Sequence, residues 1–179
     1  MPRLHLRQHG LTLLESLIAL SILGIVAATA LPTWERFIAK SALDGAYELF
    51  LNHVLLARSE AIKRGAPVTL CPSRDDRHCL DDHRAWGQGL ILFANPYFHE
   101  NPPSAEQIIA RYKPADPDIM IATSSRHRNR LTFLPSGRSW FSNTTVRFCH
   151  ANLPLVNRAL VVAGHGRIRK AVVTPEACR

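Results

Sequence analysis

From Leu11 to Leu31 the chain carries an apolar run of 21 residues whose only charge is Glu15, and no other feature limits its fold as strongly. A helix needs about 20 such residues to cross the hydrocarbon core of a bilayer. Arg3 and Arg7, with His5 and His9, stand before the run. By the positive-inside rule they hold that end in the cytoplasm, so the remainder is exported. A secretory signal has a shorter apolar core and a small-residue cleavage site after it. This run is long enough to stay attached to its chain. A mean hydropathy of −0.04 averages the run away against a polar remainder.

A carboxylate five residues into such a run is costly in lipid. On position alone, two readings of Glu15 compete: it snorkels to the cytoplasmic headgroups, or it has a function inside the membrane. The string Gly10-Leu11-Thr12-Leu13-Leu14-Glu15 resembles the processing signal of type IV pilins and type II secretion pseudopilins. The resemblance implies that a prepilin peptidase cuts between Gly10 and Leu11, that the new amine is methylated, and that Glu15 becomes the fifth mature residue. Gly24 and Pro32 fall where the helical spines of these subunits carry Gly and Pro, whereas Leu11 stands where the family usually has Phe. An α-amine of pKa near 8 can pair with a carboxylate in a low-dielectric filament core, where each charge alone would be costly. Glu15 of one subunit and the Leu11 amine of its neighbour are thus the expected assembly pair. Pro32 lacks an amide donor, so the helix is expected to bend or melt there.

From Thr33 to Gly65 the pattern is helical, with Trp34, Phe37, Ile38, Leu49, Phe50, Val54, Ala57 and Ala61 as the expected apolar stripe. Gly65 and Pro67 stop it. Short β-like runs follow at Val68–Cys71, Gly89–Ala94, Ile108–Tyr112, Ile119–Thr123, Leu131–Leu134, Thr145–Cys149, Ala159–Ala163 and Arg167–Val173. Pro135-Ser136-Gly137 and Gly164-His165-Gly166 read as tight turns, and Asn95–Ser104 as an exposed loop. The expected fold class is α+β, a long N-terminal helix packed on an antiparallel β-sheet head. The expected organisation is a leader at 1–10, a transmembrane and assembly helix at 11–32, the amphipathic half of the spine at 33–65, and the head at 66–179.

Four cysteines, all in the exported part, read as two disulfides rather than as metal ligands. The sequence permits three pairings. Cys71 with Cys79 and Cys149 with Cys178 are favoured, because each joins the ends of one local stretch and no thiol is left over. The longer loop is worth roughly 3 to 4 kcal/mol in the chain-entropy model. Cys71, His78, Cys79 and His83 lack the paired spacing of a structural zinc site, so no metal is expected. No nucleophile elbow or Gly-rich phosphate loop precedes a helix. Neither enzyme activity, cofactor nor small-molecule substrate is expected.

The net charge of +8 is unevenly placed: the last sixty residues hold ten Arg and Lys against Glu176 alone. Such basicity suits a polyanion. The cations between Arg126 and Arg130 read first as a solvated strand edge guarded by charge. Arg167, Arg169 and Lys170 follow a tight turn, and strand alternation puts the two arginines on one face with Lys170 on the other.

Cys71-Pro72-Ser73, the run from Leu131 to Arg138 ending in Pro-Ser-Gly-Arg, and Gly166-Arg167-Ile168-Arg169 resemble the FimT/FimU and GspH branch of minor pilins. The resemblance implies a filament subunit with other pilins as partners. Its expected location is the inner membrane with a periplasmic head, then the assembled pilus. A FimT-like subunit would bind DNA through Arg167, Arg169 and Lys170, supported by Arg179, Arg138 and Arg158, without sequence preference. The nearby chain shows few aromatics for stacking on bases. The alternatives are a GspH-type pseudopilin of type II secretion and a FimU-like priming subunit at the pilus tip.

Overall fold

The computed structural model describes residues 12–114, 116–125, 128–140, 143–151, 157–172 and 178, with the side chains of 29–33 excepted. Gly10, Leu11, Arg126 and Arg179 lie outside the described residues. The chain divides into two compact units, Met1–Ile38 and Ala39–Arg179. Helix α1, Leu13–Arg64, crosses that boundary as one continuous element, so the helix does not melt at position 32.

In the first unit the helix starts for a local reason. Thr12 stands just outside it, and its Oγ1 accepts the Glu15 amide at 3.3 Å. Glu15 is then the third helical residue, the place of the acid in a Thr-x-x-Glu capping box, where it also faces the positive end of the helix dipole. The Ser16 and Ser21 hydroxyls donate back to the Thr12 and Leu17 carbonyls at 3.3 and 2.8 Å, which spares an otherwise apolar surface two unpaired polar groups. Leu13, Leu17, Leu20, Leu23 and Ile25 are all more than half exposed. No described helix is long and apolar enough to cross a membrane.

In the second unit Leu43, Ala46, Tyr47, Phe50, Val54, Ala57 and Ala61 are buried, which is a three-four spacing along one face of α1. Phe50, Val54, Ala57 and Ala61 are stripe residues read from the sequence. Trp34, Phe37, Ile38 and Leu49 are exposed instead, and the stripe runs on through Tyr47, Ala46 and Leu43. The first three of these exposed residues precede the second unit altogether. Gly65 ends the helix with a φ of +62°, its amide bonding to the Ile62 carbonyl at 3.3 Å.

Eight strands follow: β1 Val68–Pro72, β2 Leu90–Ala94, β3 Ile108–Tyr112, β4 Ile119–Thr123, β5 Leu131–Phe133, β6 Thr144–His150, β7 Arg158–Val162 and β8 Ile168–Ala171. They make two four-stranded sheets where one was expected, in the orders β3-β2-β1-β5 and β4-β6-β7-β8. Every pairing is antiparallel. Alternate residues of six strands, among them Val68, Leu70, Leu90, Leu92, Val146, Phe148, Leu160 and Val162, form one core with the helix stripe. At its centre Phe148 meets Tyr47 at 5.2 Å and Phe50 at 5.3 Å, edge to face. The opposite face of the first sheet is covered too: Cys71, Ile91 and Phe93 pack with Cys79 and Ile108. Cys71 is bonded to Cys79 and Cys149 to Cys178, with Cα separations of 5.5 and 5.9 Å. The first bond excludes a metal at Cys71 and Cys79.

Candidate nucleic-acid interface

The β7–β8 hairpin closes through residues 163–166, where the Ala163 amide bonds to the Arg167 carbonyl at 2.9 Å and the Gly166 amide to the Ala163 carbonyl at 2.8 Å. Gly166 has a φ of +84°, and a methyl group here would overlap the Gly137 carbonyl. Glycine is required on both grounds. The hairpin turn is thereby pressed against the turn carrying Arg138, whose carbonyl accepts the Leu134 amide at 2.8 Å. Ser139 reinforces the junction by donating its amide to the Gly164 carbonyl at 3.1 Å, and Asn143 Oδ1 accepts the Gly164 amide at 2.7 Å. Beneath the two turns lies Arg58, its Nε 3.2 Å from where a Gly137 Cβ would stand.

Alternation along β8 then sorts the cations by face. Ile168 packs on the core, so Arg167 and Arg169 point outward, both exposed. They line an open groove of about 500 Å³ together with His165, Ser124, Asn143 and Thr145. None of the described lining residues is acidic. Thr145, Val161 and Arg169 are cross-strand partners in one row, so the groove is the outward face of the second sheet.

Lys170 and Arg158 are placed differently. Lys170 Nζ bonds Glu48 Oε1 at 2.7 Å and lies 5.4 Å from the centroid of the Tyr47 ring. Its hydrogen bond to Glu48 raises its pKa. Arg158 Nε pairs with Asp44 Oδ1 at 3.0 Å. Both cations therefore tie the second sheet to acids of α1. Arg138 is exposed beside Ser136, Ser139 and Trp140. Arg128 donates to the Asn143 carbonyl, and Arg130 reaches the Glu100 carbonyl at 3.2 Å and Asp81 at 3.7 Å. The structure thus brings Arg138, Arg167 and Arg169 to adjoining turns and leaves Lys170 and Arg158 engaged elsewhere.

Sequence reasoning missed the groove's neutral residues and, beside Arg138, Trp140, which is 45 % exposed and lies against Phe98 with ring centroids 5.1 Å apart and planes tilted by 39°. No local signal could have joined Phe98 to Trp140, because they come from different loops. Among the described residues one group could hold a metal ion: ligand atoms of Asp116, Asp118 and His150 lie within 4.8 Å of one another. Asp116 Oδ1 accepts the Asp118 amide at 2.9 Å and Oδ2 faces His150 at 4.0 Å, an arrangement that caps the turn into β4.

Comparison with known proteins places this architecture. The crystal structure of the type IV minor pilin FimU from Pseudomonas aeruginosa PAO1 superposes with a TM-score of 0.55, at 19 % identity over 79 % of this chain and 92 % of that one. It shares the fold. A fimbrial protein of Moraxella nonliquefaciens is 27 % identical over 108 residues, 57 % of this chain and 62 % of that protein. Fimbrial protein EcpC of Eikenella corrodens is 43 % identical over 42 residues, 24 % of this chain and 28 % of its own. The chain therefore spans less than two thirds of either relative. Residues 5–31 match the prokaryotic N-terminal methylation motif. Residues 46–167, more than half of the sequence, match the profile described as type II transport protein GspH. The chain belongs to the GspH family, a branch of the type IV pilin-like minor pilins and pseudopilins, which are structural and not enzymatic subunits.

Proposed function

We propose that this subunit is a minor pilin of the FimT type that binds DNA without sequence preference during DNA uptake. Before assembly it resides in the inner membrane with its head in the periplasm. The observation that carries the reading is the open groove holding Arg167 and Arg169 with no acid among its described lining residues. Two guanidiniums on one face can each donate a pair of hydrogen bonds to a phosphate, which a lysine cannot reproduce. Arg138 on the adjoining turn extends the phosphate track. Lys170 and Arg158, already engaged by Glu48 and Asp44, contribute less. In the same reading the leader is removed after Gly10, and Glu15 pairs with the Leu11 amine of a neighbouring subunit.

Full-length protein in detergent, titrated with duplex DNA at several salt concentrations, tests the reading. Binding is expected in the micromolar range typical of non-specific contacts, roughly 10⁻⁴ to 10⁻⁶ M at physiological salt. Replacing Arg167 and Arg169 by alanine is expected to remove most binding and to lower the log-log salt slope by roughly 1 to 2 units. A double variant that binds as the parent does would place the site elsewhere or end the DNA reading. The match to the GspH profile supports a second reading, a pseudopilin of type II secretion. That reading prevails if DNA binding is no stronger than that of a charge-matched control protein.

A further inference from the structure

Three aromatic rings in the head are exposed to solvent: Tyr97 is 81 % exposed, and Phe98 and Trp140 are each 45 % exposed. They are held there by backbone, not left there by looseness. Asn95, buried at 2 % exposure, donates from Nδ2 to Thr69 Oγ1 at 3.0 Å and to the His99 carbonyl at 2.9 Å. Its Oδ1 accepts the His99 amide at 2.7 Å, so one side chain staples the loop to β1. Inside that staple Phe98 has a φ of +58°, a region that bulky residues rarely adopt. Such backbone persists only where its surroundings over-determine it, and it clusters at ligand sites. Trp140 is fixed from the other side, its amide bonding to the Thr132 carbonyl at 2.8 Å.

The rings are continuous with the cations. Trp140 follows Ser139, whose amide is bonded to Gly164 in the turn that leads to Arg167, and Arg138 lines the same pocket as Trp140. Guanidiniums beside exposed aromatics are the combination by which proteins hold single-stranded nucleic acid, the cations tracking the backbone and the rings taking the bases. A duplex hides the faces of its bases. A single strand offers them.

We propose that Trp140 and Phe98, continuous with Arg138 and Arg167, form a base-stacking platform that makes the basic face prefer single-stranded over duplex DNA. The inference rests on the DNA reading above and adds to it the form of the ligand.

The experiment is a set of anisotropy titrations of the full-length protein in detergent with three labelled probes of equal phosphate count: an oligothymidine strand, a duplex, and an abasic strand. The parent is expected to bind oligothymidine about tenfold tighter than either the abasic strand or the duplex, as one stacked base would give, and equal affinity for oligothymidine and duplex would overturn the platform. W140A should abolish that margin while leaving duplex and abasic affinities unchanged, and W140Y should restore most of it. F98G removes the second ring while keeping a backbone that glycine tolerates, and should narrow the margin likewise. If W140A and F98G bind all three probes as the parent does, while the R167A/R169A variant loses all three, the platform is overturned and the DNA reading stands. If the parent binds none of the probes, the DNA reading falls and takes the platform with it. A W140A variant with unchanged affinities but reduced incorporation into filaments would make the rings a subunit contact and overturn the platform as well.

Discussion

Lys170 and Arg169 are neighbours in sequence with the same charge, and the pleat of one strand gives them different work. Lys170 is turned to Glu48 and Tyr47, Arg169 to open solvent. Lys170→Ala should therefore leave DNA affinity within about twofold of the parent, while loosening the attachment of β8 to α1 only slightly, since solvent screens an exposed ion pair. The pH dependence follows from the raised Lys170 pKa. A raised folded-state value means that the contribution is fully present below the ordinary lysine pKa of about 10.4 and is lost as pH rises through the folded value. The difference in Tm between parent and variant should thus be constant around neutrality and close in strongly alkaline solution. A difference that persists unchanged in strongly alkaline solution would show that the Lys170 ammonium is not responsible. Glu15 is the other residue whose surroundings can be argued. The bond to Thr12 is made by its backbone amide, so Glu15→Ala leaves that cap in place and isolates the role of the carboxylate. If pairing with a neighbouring amine is its function, the variant should be cleaved normally and incorporated poorly; normal incorporation would defeat the pairing.

At the scale of elements, each strand was legible because its apolar residues alternate between turn-forming residues, and all eight observed strands overlap the runs read from the sequence. What alternation does not encode is the partner. Val146 and Leu160 have the same pattern as Val68 and Leu92, and only three-dimensional packing on α1 sorts them into two sheets. The buried face of α1 was half legible for a related reason. Trp34, Phe37 and Ile38 continue the periodicity but precede the second unit, whereas Leu43, Ala46 and Tyr47 lie under its strands. The basic half of the candidate site was readable, since Arg167 and Arg169 sit two apart after a turn. The aromatic half was not, because Phe98 and Trp140 meet only through the Asn95 staple and the Ser139 bond. The two disulfides should differ in weight. Closing loops of sequence separation 8 and 29, they are worth about 2.5 and about 3.5 kcal/mol in the chain-entropy model. Replacing Cys149 and Cys178 together by alanine should lower stability by the larger amount in denaturant melts. A loss below about 1 kcal/mol would show that the tail is held by its other contacts.

For the whole molecule, the proposed removal of the leader before assembly can be tested directly. Intact-mass measurement on assembled filaments should find the ten leader residues absent, with one methyl group on the new terminus. Met1 retained in assembled material would contradict the proposed cleavage. The placement of cations within the head also bears on how it resists force. On the DNA proposal, nucleic acid tethered at Arg167 pulls on β8, which among the described strands pairs with β7 alone. A pull across that edge would open its main-chain bonds one rung at a time, as a zip opens, at low load. Lys170 to Glu48 and Arg158 to Asp44 are cross-braces on those last two strands, and they pass part of the load into a helix 52 residues long. On the proposed DNA reading, the outward arginines are the grip and the inward cations the anchor, so bound DNA can be dragged without stripping the strand that holds it.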